Sequence, residues 1–285
     1  MTKYKQKIGI TGCKGVLGSA FVKKYKTKFK ISTYNGDVTN FQELSYWFNK
    51  SDMNYLIHFA AKVPTLSVEK NKKKAKKINV TSVRYLLKLI SQNKKIKWFF
   101  FPSTSHVYKK SKLPLNEKSM INPSNYYAKT KFLAEKLIQN FKKKDKRPIC
   151  IGRIFSYTNF DQNLSFVVPS LFYKIRNKKK LDIKLLKSER DFVHIDDICN
   201  AIYLLLIKKK NGVYNISSGR KIKIYELANL ISKFIFSKKI FLNMGNISNS
   251  DILYGNNKKL KNIGWFPKKN IKKIVKDFVL LKKNK

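Results

Sequence analysis

A parallel, doubly wound α/β sheet is the fold this sequence predicts, followed by a smaller mixed α/β C-terminal lobe. Three observations predict it. Short apolar runs alternate with stretches of helical periodicity from Ile8 to Ile154. The first run ends in a turn holding Gly12, Gly15 and Gly18. After about residue 156 the alternation breaks down. These give a dinucleotide-binding domain over 1–156 and a mainly substrate-binding lobe over 157–285, interleaved with it.

Each element has its reason. Ile8–Thr11 is a strand and Val16–Lys26 a helix, because a continuous apolar run gives way to helical spacing across the glycines. Phe29–Tyr34 is a second short strand, and Phe41–Phe48 is apolar at helical spacing. Tyr55–Phe59 reads as a strand buried on both faces. Lys76–Ser91 puts Ile78, Val83, Leu86, Leu87 and Ile90 on one helical side. Trp98–Phe101 is another buried strand, stopped by Pro102. Ser124 caps a helix from Tyr126 to about Phe141, and Ile149–Ile154 is the next strand. Beyond it, Phe166–Lys174, Asp196–Ile207, Tyr225–Phe236 and Ile271–Leu281 read as helices, and Val213–Ile216 as a short strand. A cleft between the lobes is the expected ligand site.

Composition narrows the function classes. The 63 Lys+Arg against 16 Asp+Glu leave a formal charge of +47, spread along the whole chain and not gathered in one basic block. Together with the abundance of Lys, Asn, Ile, Phe and Tyr, this reads as compositional bias on solvated faces, as an AT-rich coding sequence produces. No nucleic-acid-binding motif accompanies the charge, and no specific nucleic-acid partner is expected. The charge would still steer an anionic substrate. No apolar run approaches the ~18 residues of a membrane span. Cys13, Cys150 and Cys199 lie far apart, which is neither a disulfide framework nor a metal spacing. A cytoplasmic, metal-free protein is the expectation.

The glycine turn has a physical logic. Gly12 permits a sharp turn, Gly15 lets backbone approach a pyrophosphate, and Gly18 lets the helix sit against the strand. The helix N-terminus then aims free N–H groups at the phosphates. Tyr127 and Lys131 stand four apart in a predicted helix and share one face. A neighbouring ammonium lowers a phenol's pKa and makes it a proton donor and acceptor. In a chain with 15 tyrosines, such a pair also arises by chance. Thr104 follows a buried strand, where a hydroxyl would hold a substrate oxygen or would simply belong to a Ser/Thr-rich turn.

Taken in order, Thr11-Gly12-x-x-Gly15-x-x-Gly18, His58-Phe59-Ala60-Ala61, Asn79, Ser103-Thr104 before Val107-Tyr108, and Tyr127-x-x-x-Lys131 resemble the extended short-chain dehydrogenase/reductases. More narrowly they resemble the NAD-dependent epimerase/dehydratase family acting on nucleotide sugars. Arg190-Asp191-Phe192-Val193-His194-Ile195-Asp196-Asp197, Tyr214-Asn215-Ile216-Ser217-Ser218-Gly219 and Gly264-Trp265-x-Pro267 continue the likeness through the second half. The resemblance implies a Rossmann-type fold and a set of roles. Thr104, Tyr127 and Lys131 would be catalytic. Gly12, Lys14, Gly15, Val16, Leu17, Gly18, Asp37, Val38, Ala60 and Ala61, with Tyr127 and Lys131, would bind the cofactor. Ser105, His106 and Arg190 would meet a nucleotide-sugar substrate, Arg190 at its diphosphate. Asp196 and Asp197 are read as helix-capping acids. Arg153-Ile154-Phe155-Ser156 departs from the family's Arg-x-x-Asn, and Lys109 stands where a glycine is usual.

Cofactor and reaction follow from the departures. No acid lies in Ile31–Asn35, where an NAD site places one on the ribose, and Lys14 sits inside the glycine turn. NADP(H) is therefore expected ahead of NAD(H). The dehydratases of the family carry Asp-Glu after the threonine, whereas this chain has Ser105-His106. That favours a reductase of nucleotide-linked 4-keto-6-deoxy sugars, with a 4-epimerase as the alternative and a non-catalytic dinucleotide-binding protein as a third. A homodimer built on the helices at 76–91 and 126–141 is expected from the resemblance.

Overall fold

In the computed structural model, which describes residues 6–63, 65–240 and 251–283, β1 (Lys7–Thr11) sits inside a six-stranded sheet. The strands follow as β2 (Lys30–Tyr34), β3 (Tyr55–His58), β4 (Trp98–Thr104), β5 (Ile149–Ile154) and, after three short strands, β9 (Gly212–Ile216). The sheet order is β2-β1-β3-β4-β5-β9. β1 pairs in parallel with β2 and β3, and β3 with β4. The order reverses between β1 and β3, and ligands of such sheets bind outside the strand ends at that switch. The inner strands β3, β4 and β5 are buried throughout, whereas edge strand β2 is Lys-Ile-Ser-Thr-Tyr and largely half-exposed.

Helices cover both faces. α1 (Val16–Tyr25) follows β1 and α2 (Phe41–Lys50) follows β2. Between β3 and β4 come α3 (Thr65–Lys70), α4 (Lys72–Lys76), a single π-helical turn (Lys77–Thr81) and α5 (Ser82–Gln92). The one helix expected from Lys76 to Ser91 is therefore broken by a wider turn at its start. α6 (Tyr126–Lys144) follows a 3₁₀ turn (Ser105–Val107) and a loop. Leu44, Phe48, Leu86, Ile90, Phe99, Phe101, Ala134 and Ile138 knit α2, α5 and α6 to the sheet. On α1, Phe21 meets Phe59, and Tyr25 stacks on Tyr203 with centroids 4.7 Å apart.

The remaining elements are β6 (Ser156–Thr158), α7 (Val167–Arg176), α8 (Ile183–Lys187), β7 (Glu189–Arg190), β8 (Phe192–His194), α9 (Ile195–Ile207), β10 (Ile222–Lys223), α10 (Ile224–Phe236), β11 (Ile252–Leu253), α11 (Lys258–Lys261) and α12 (Ile271–Lys283). The chain forms two compact units. The first comprises Met1–Val107, Pro123–Arg153 and Cys199–Tyr214; the second, Tyr108–Asn122, Ile154–Ile198 and Asn215–Lys285. The second packs α7, α10 and α12 around Leu171, Phe172, Leu227, Ile231, Val275 and Phe278, with small sheets β10-β7-β11 and β6-β8. No described helix is long and apolar enough to cross a membrane.

Three local expectations are corrected. β4 does not stop at Pro102 but runs to Thr104, because its registered pairing with β3 ends at Phe100 and the missing N–H breaks no rung there. The cap of α6 is Asn125, whose side chain accepts from the Ala128 N–H at 2.9 Å, and not Ser124. β9, read within the lobe half of the sequence, is the sixth strand of the large sheet.

Candidate active site

The glycine turn separates the three glycines by what each tolerates. Gly12 has φ +71, and a Cβ there would stand 2.3 Å from the Ala60 backbone N. A Cβ on Gly18 would stand 2.2 Å from the Gly12 carbonyl O, so the helix and turn meet backbone to backbone. Gly15 is different: its nearest neighbour would be 3.3 Å away, and its φ of −75 suits any residue. The protein itself presses far less on position 15 than on 12 or 18, asking only that the Gly12 carbonyl give by a few tenths of an ångström, whereas a ligand against that backbone would need the glycine. Gly15 also begins α1 with no side-chain cap, which leaves the first N–H groups of the helix facing out of the turn. Lys14 is exposed beside it. β2 ends at Tyr34-Asn35 with no acid, and the Cys13 thiol donates to Asn35 Oδ1 at 3.1 Å. The donor set fits a dinucleotide.

Asp37 is exposed, and its Oδ1 accepts from the Thr39 N–H at 2.8 Å and hydroxyl at 2.9 Å. Val38 and Leu17 are buried in the core, Val16 is half-buried, and Ala60 and Ala61 form half-buried backbone beyond β3.

Thr104 ends β4, and Tyr127 and Lys131 occupy α6 one turn apart. Thr104 is almost buried, and its Oγ1 accepts the His106 N–H at 3.3 Å. That contact leaves the hydroxyl hydrogen available to a ligand oxygen. Ser105 is buried and His106 half-buried in the 3₁₀ turn. The start of α6 is held from both sides: Asn125 caps it, and Glu69 Oε1 accepts the Tyr126 N–H at 2.9 Å. The Lys72 ammonium lies 5.5 Å from the Tyr126 ring centroid.

Lys131 is 2% exposed, with its Nζ 4.1 Å from the Phe101 ring centroid. Burial pushes its pKa down to about 7, opposed by the charge of Glu135. Behind it, His58 is fully buried between Thr11 Oγ1 at 2.6 Å and Ser82 Oγ at 3.2 Å. The Ser82 hydroxyl donates to the Ile78 carbonyl at 2.5 Å, so it accepts from His58 Nε2–H. His58 Nδ1 must then accept from Thr11, which fixes the neutral tautomer. Burial, then the charge of Lys131, hold the imidazole's pKa down to about 3. On the π-turn, Asn79 takes the Lys62 N–H at 2.7 Å and gives hydrogen bonds to the Lys62 carbonyl at 3.3 Å and Thr130 Oγ1 at 3.0 Å. The segment beyond β3 and helix α6 are thus tied through one side chain.

In the second unit, Arg190 gives Nη2–H to Asp251 Oδ2 at 2.7 Å and Nη1–H to the Asp251 and Glu189 carbonyls. Asp191 is fully buried and accepts from the Ser218 N–H and hydroxyl at 2.8 and 2.7 Å, the Gly219 N–H at 3.0 Å and the Gly255 N–H at 3.2 Å. Asp196 and Asp197 fall in the first turn of α9, yet their carboxylates serve another segment. Asp197 Oδ2 accepts the Lys268 and Lys269 N–H groups at 3.0 Å each, and Asp196 pairs with the Lys269 ammonium at 2.6 Å. The Trp265 indole N–H donates to the Asp197 carbonyl at 3.0 Å. The second-half motifs therefore fasten one another. A pocket of about 430 Å³ in this unit, rimmed by Arg220, Lys261 and Lys268, contains none of Thr104, Tyr127, Lys131 or Arg190.

A family model described as GDP-mannose 4,6 dehydratase matches residues 19–278, nearly the whole chain. The chain belongs to this family. It is a member of the NAD-dependent epimerase/dehydratase family, of the extended short-chain dehydrogenase/reductase type, whose members are NAD(P)-dependent enzymes on nucleotide sugars. Among curated relatives, the dTDP-D-glucose 4,6-dehydratase of Dictyostelium discoideum is 29% identical over 79% of this chain and 61% of its own length. The chain thus spans under two thirds of that relative. The GDP-6-deoxy-D-talose 4-dehydrogenase of Aggregatibacter actinomycetemcomitans is 25% identical over 79% of each. Among solved structures, UDP-glucose 4-epimerase of Thermotoga maritima with UDP-glucose superposes at TM-score 0.88 and 19% identity, over 98% of this chain and 99% of that one. RMD of Pseudomonas aeruginosa complexed with NADPH gives 0.84 and 22%, over 98% and 100%. At these identities the structural likeness is one of fold.

In this epimerase/dehydratase two site-proximal residues escaped the sequence reading. Glu135 is the only acid in α6, four residues after Lys131 and so on the same face. Arg153, weighed only as part of a departed substrate motif, is 3% exposed and bonded to Glu135. A lone acid at that spacing in a lysine-rich helix was the available signal.

Proposed function

We propose that this epimerase/dehydratase family member is a reductase of nucleotide-linked 4-keto-6-deoxy sugars, using NADP(H) ahead of NAD(H). The turn after Thr104 carries the reading. Eliminating water from a sugar needs an acid and a base beyond the tyrosine, and Thr104 is followed by Ser105 and His106 in place of the dehydratases' Asp-Glu. Thr104, Tyr127 and Lys131 suffice for one hydride and one proton at a single carbon–oxygen bond.

The first N–H groups of α1, with the backbone of Gly12, Gly15 and Gly18, would hold the pyrophosphate, and Lys131 the nicotinamide ribose. Val16, Leu17, Asp37, Val38, Ala60 and Ala61 would border the rest. The bound nicotinamide supplies the hydride. Tyr127 gives its phenolic proton to the ketone oxygen as charge develops there. The Lys131 ammonium, one turn on, stabilises the phenolate left behind. The Thr104 hydroxyl, oriented by the His106 N–H, donates to the same oxygen. Ser105 and His106 would border the sugar, and Arg190 would share its fork between Asp251 and the diphosphate. Lys14, with no acid at the end of β2, supports the 2′-phosphate.

The test is NADPH oxidation with a panel of dTDP-, GDP- and UDP-linked 4-keto sugars, with Tyr127→Phe alongside. Stoichiometric oxidation that falls at least about a hundredfold in the variant supports the reductase. Interconversion of UDP-hexoses with retained cofactor replaces it by the 4-epimerase. Cofactor binding with neither activity leaves a non-catalytic dinucleotide-binding protein. A kcat/KM with NADH equal to or above that with NADPH overturns the cofactor preference.

A further inference from the structure

Glu135 stands one helical turn beyond Lys131 and two beyond Tyr127, with no exposed surface. Its carboxylate gathers groups from two strands. Arg153 of β5 donates Nε–H at 3.1 and 3.3 Å to the two oxygens and Nη2–H at 2.6 Å to Oε2. The Ser103 hydroxyl of β4 donates to Oε1. Ser103 immediately precedes Thr104, so one carboxylate joins the strand end that presents Thr104 to the helix that presents Tyr127 and Lys131. Apolar side chains of similar volume often fill such a space with equal or greater stability, because two charges must be stripped of water to be buried. Stability alone therefore does not account for a charged pair at this place.

We propose that Glu135, held by Arg153 and Ser103, is a positioning residue for the reaction: it fixes the Thr104 strand end against the Tyr127–Lys131 helix and sets a fixed negative charge behind Lys131. The inference rests on the reductase reading. Around Lys131, α6 contributes Glu135 and Tyr127, β3 the neutral His58, and β5 Arg153 through its bond to Glu135. β4 presents the uncharged Phe101 and the π-turn the uncharged Asn79. Glu135 is the anion of this set, and its charge favours the protonated lysine.

The decisive variant is the double substitution Glu135→Leu with Arg153→Met, which removes both charges together and leaves neither stranded. Expected are a melting temperature at or above that of the unaltered protein, NADPH affinity at pH 6 within about threefold, and kcat at least tenfold lower. The pH above which NADPH affinity falls, reporting the charge of Lys131, moves down by about one unit. Ser103→Ala, a change that leaves the ion pair intact, lowers kcat several-fold with KM and NADPH affinity unchanged. A folded double variant with unaltered kcat and unshifted pH profile overturns the proposal, as does unaltered kcat in Ser103→Ala. If the unaltered protein reduces no 4-keto sugar, the reductase reading fails. The pH profile of NADPH binding in the two proteins then still decides the claim about Glu135.

Discussion

Replacing Gly15 by Ala should disturb the fold little, because the new Cβ meets only the Gly12 carbonyl, at a tight 3.3 Å, and the backbone is already extended. The same change at Gly12 forces φ +71 on an L residue and drives Cβ into the Ala60 backbone. We expect Gly12→Ala to cost at least about 1–3 kcal/mol in denaturant melts. Gly15→Ala should lose clearly less stability than Gly12→Ala yet bind NADPH at least tenfold more weakly. A Gly15→Ala variant with full affinity removes the phosphate cradle. A second expectation concerns pH. Unfolded His58 takes a proton below its ordinary 6.5, whereas the buried one resists until about 3. Between those values the unfolded state binds more protons, so stability declines as pH falls through that window. His58→Asn should flatten that decline in melts between the two values. At this scale the sequence was most legible where chemistry needs near neighbours: Tyr127 and Lys131 are four apart, and the glycines three. Glu135 was hidden because its partners Ser103 and Arg153 come from strands distant in sequence, and only the fold unites them.

Among the elements, α6 has the most to lose at its first turn. Tyr127 is its second residue, and the Asn125 cap and Glu69 together satisfy the first amides. Asn125→Ala should cost about 1 kcal/mol and lower kcat several-fold by fraying the turn that carries Tyr127. An unaltered kcat at the expected loss of stability separates the cap from catalysis. The buried strands were readable because both faces are covered and the runs are unbrokenly apolar. Pro102 misled because a missing N–H ends a strand only where a neighbour needs that N–H. Ser124 and Asn125 are both good caps, and backbone geometry, not residue type, chose between them. The π-turn leaves little mark in the periodicity pattern, since it sits at the start of the run and Val83, Leu86, Leu87 and Ile90 all follow it. Its purpose is plain in space: Asn79 on it reaches Lys62 and Thr130 at once.

At the scale of the whole chain, the second unit is held by its later motifs. Asp191 alone receives four donors from the 218–219 and 255 segments, so Asp191→Ala strands the buried Gly255 N–H at about 1–3 kcal/mol and frees the part-buried Ser218 and Gly219 donors that hold the turn. Thermal melts should show the second unit opening first in that variant, with NADPH binding surviving longer. The fold class was legible because the alternation of strand and helix is local. The destination of Val213–Ile216 was not, because a short apolar strand says nothing about which sheet receives it. That destination governs how the protein is made. The ribosome works from the N-terminus, and domains generally mature as their last residues emerge. Here the large sheet is incomplete until residues 212–216 appear, by which time residues 154–198 of the other unit are already outside. Until then β5 lies at the sheet's open margin, its ladder groups bare on that side. A nascent chain of this protein must carry that adhesive edge through the synthesis of some sixty further residues.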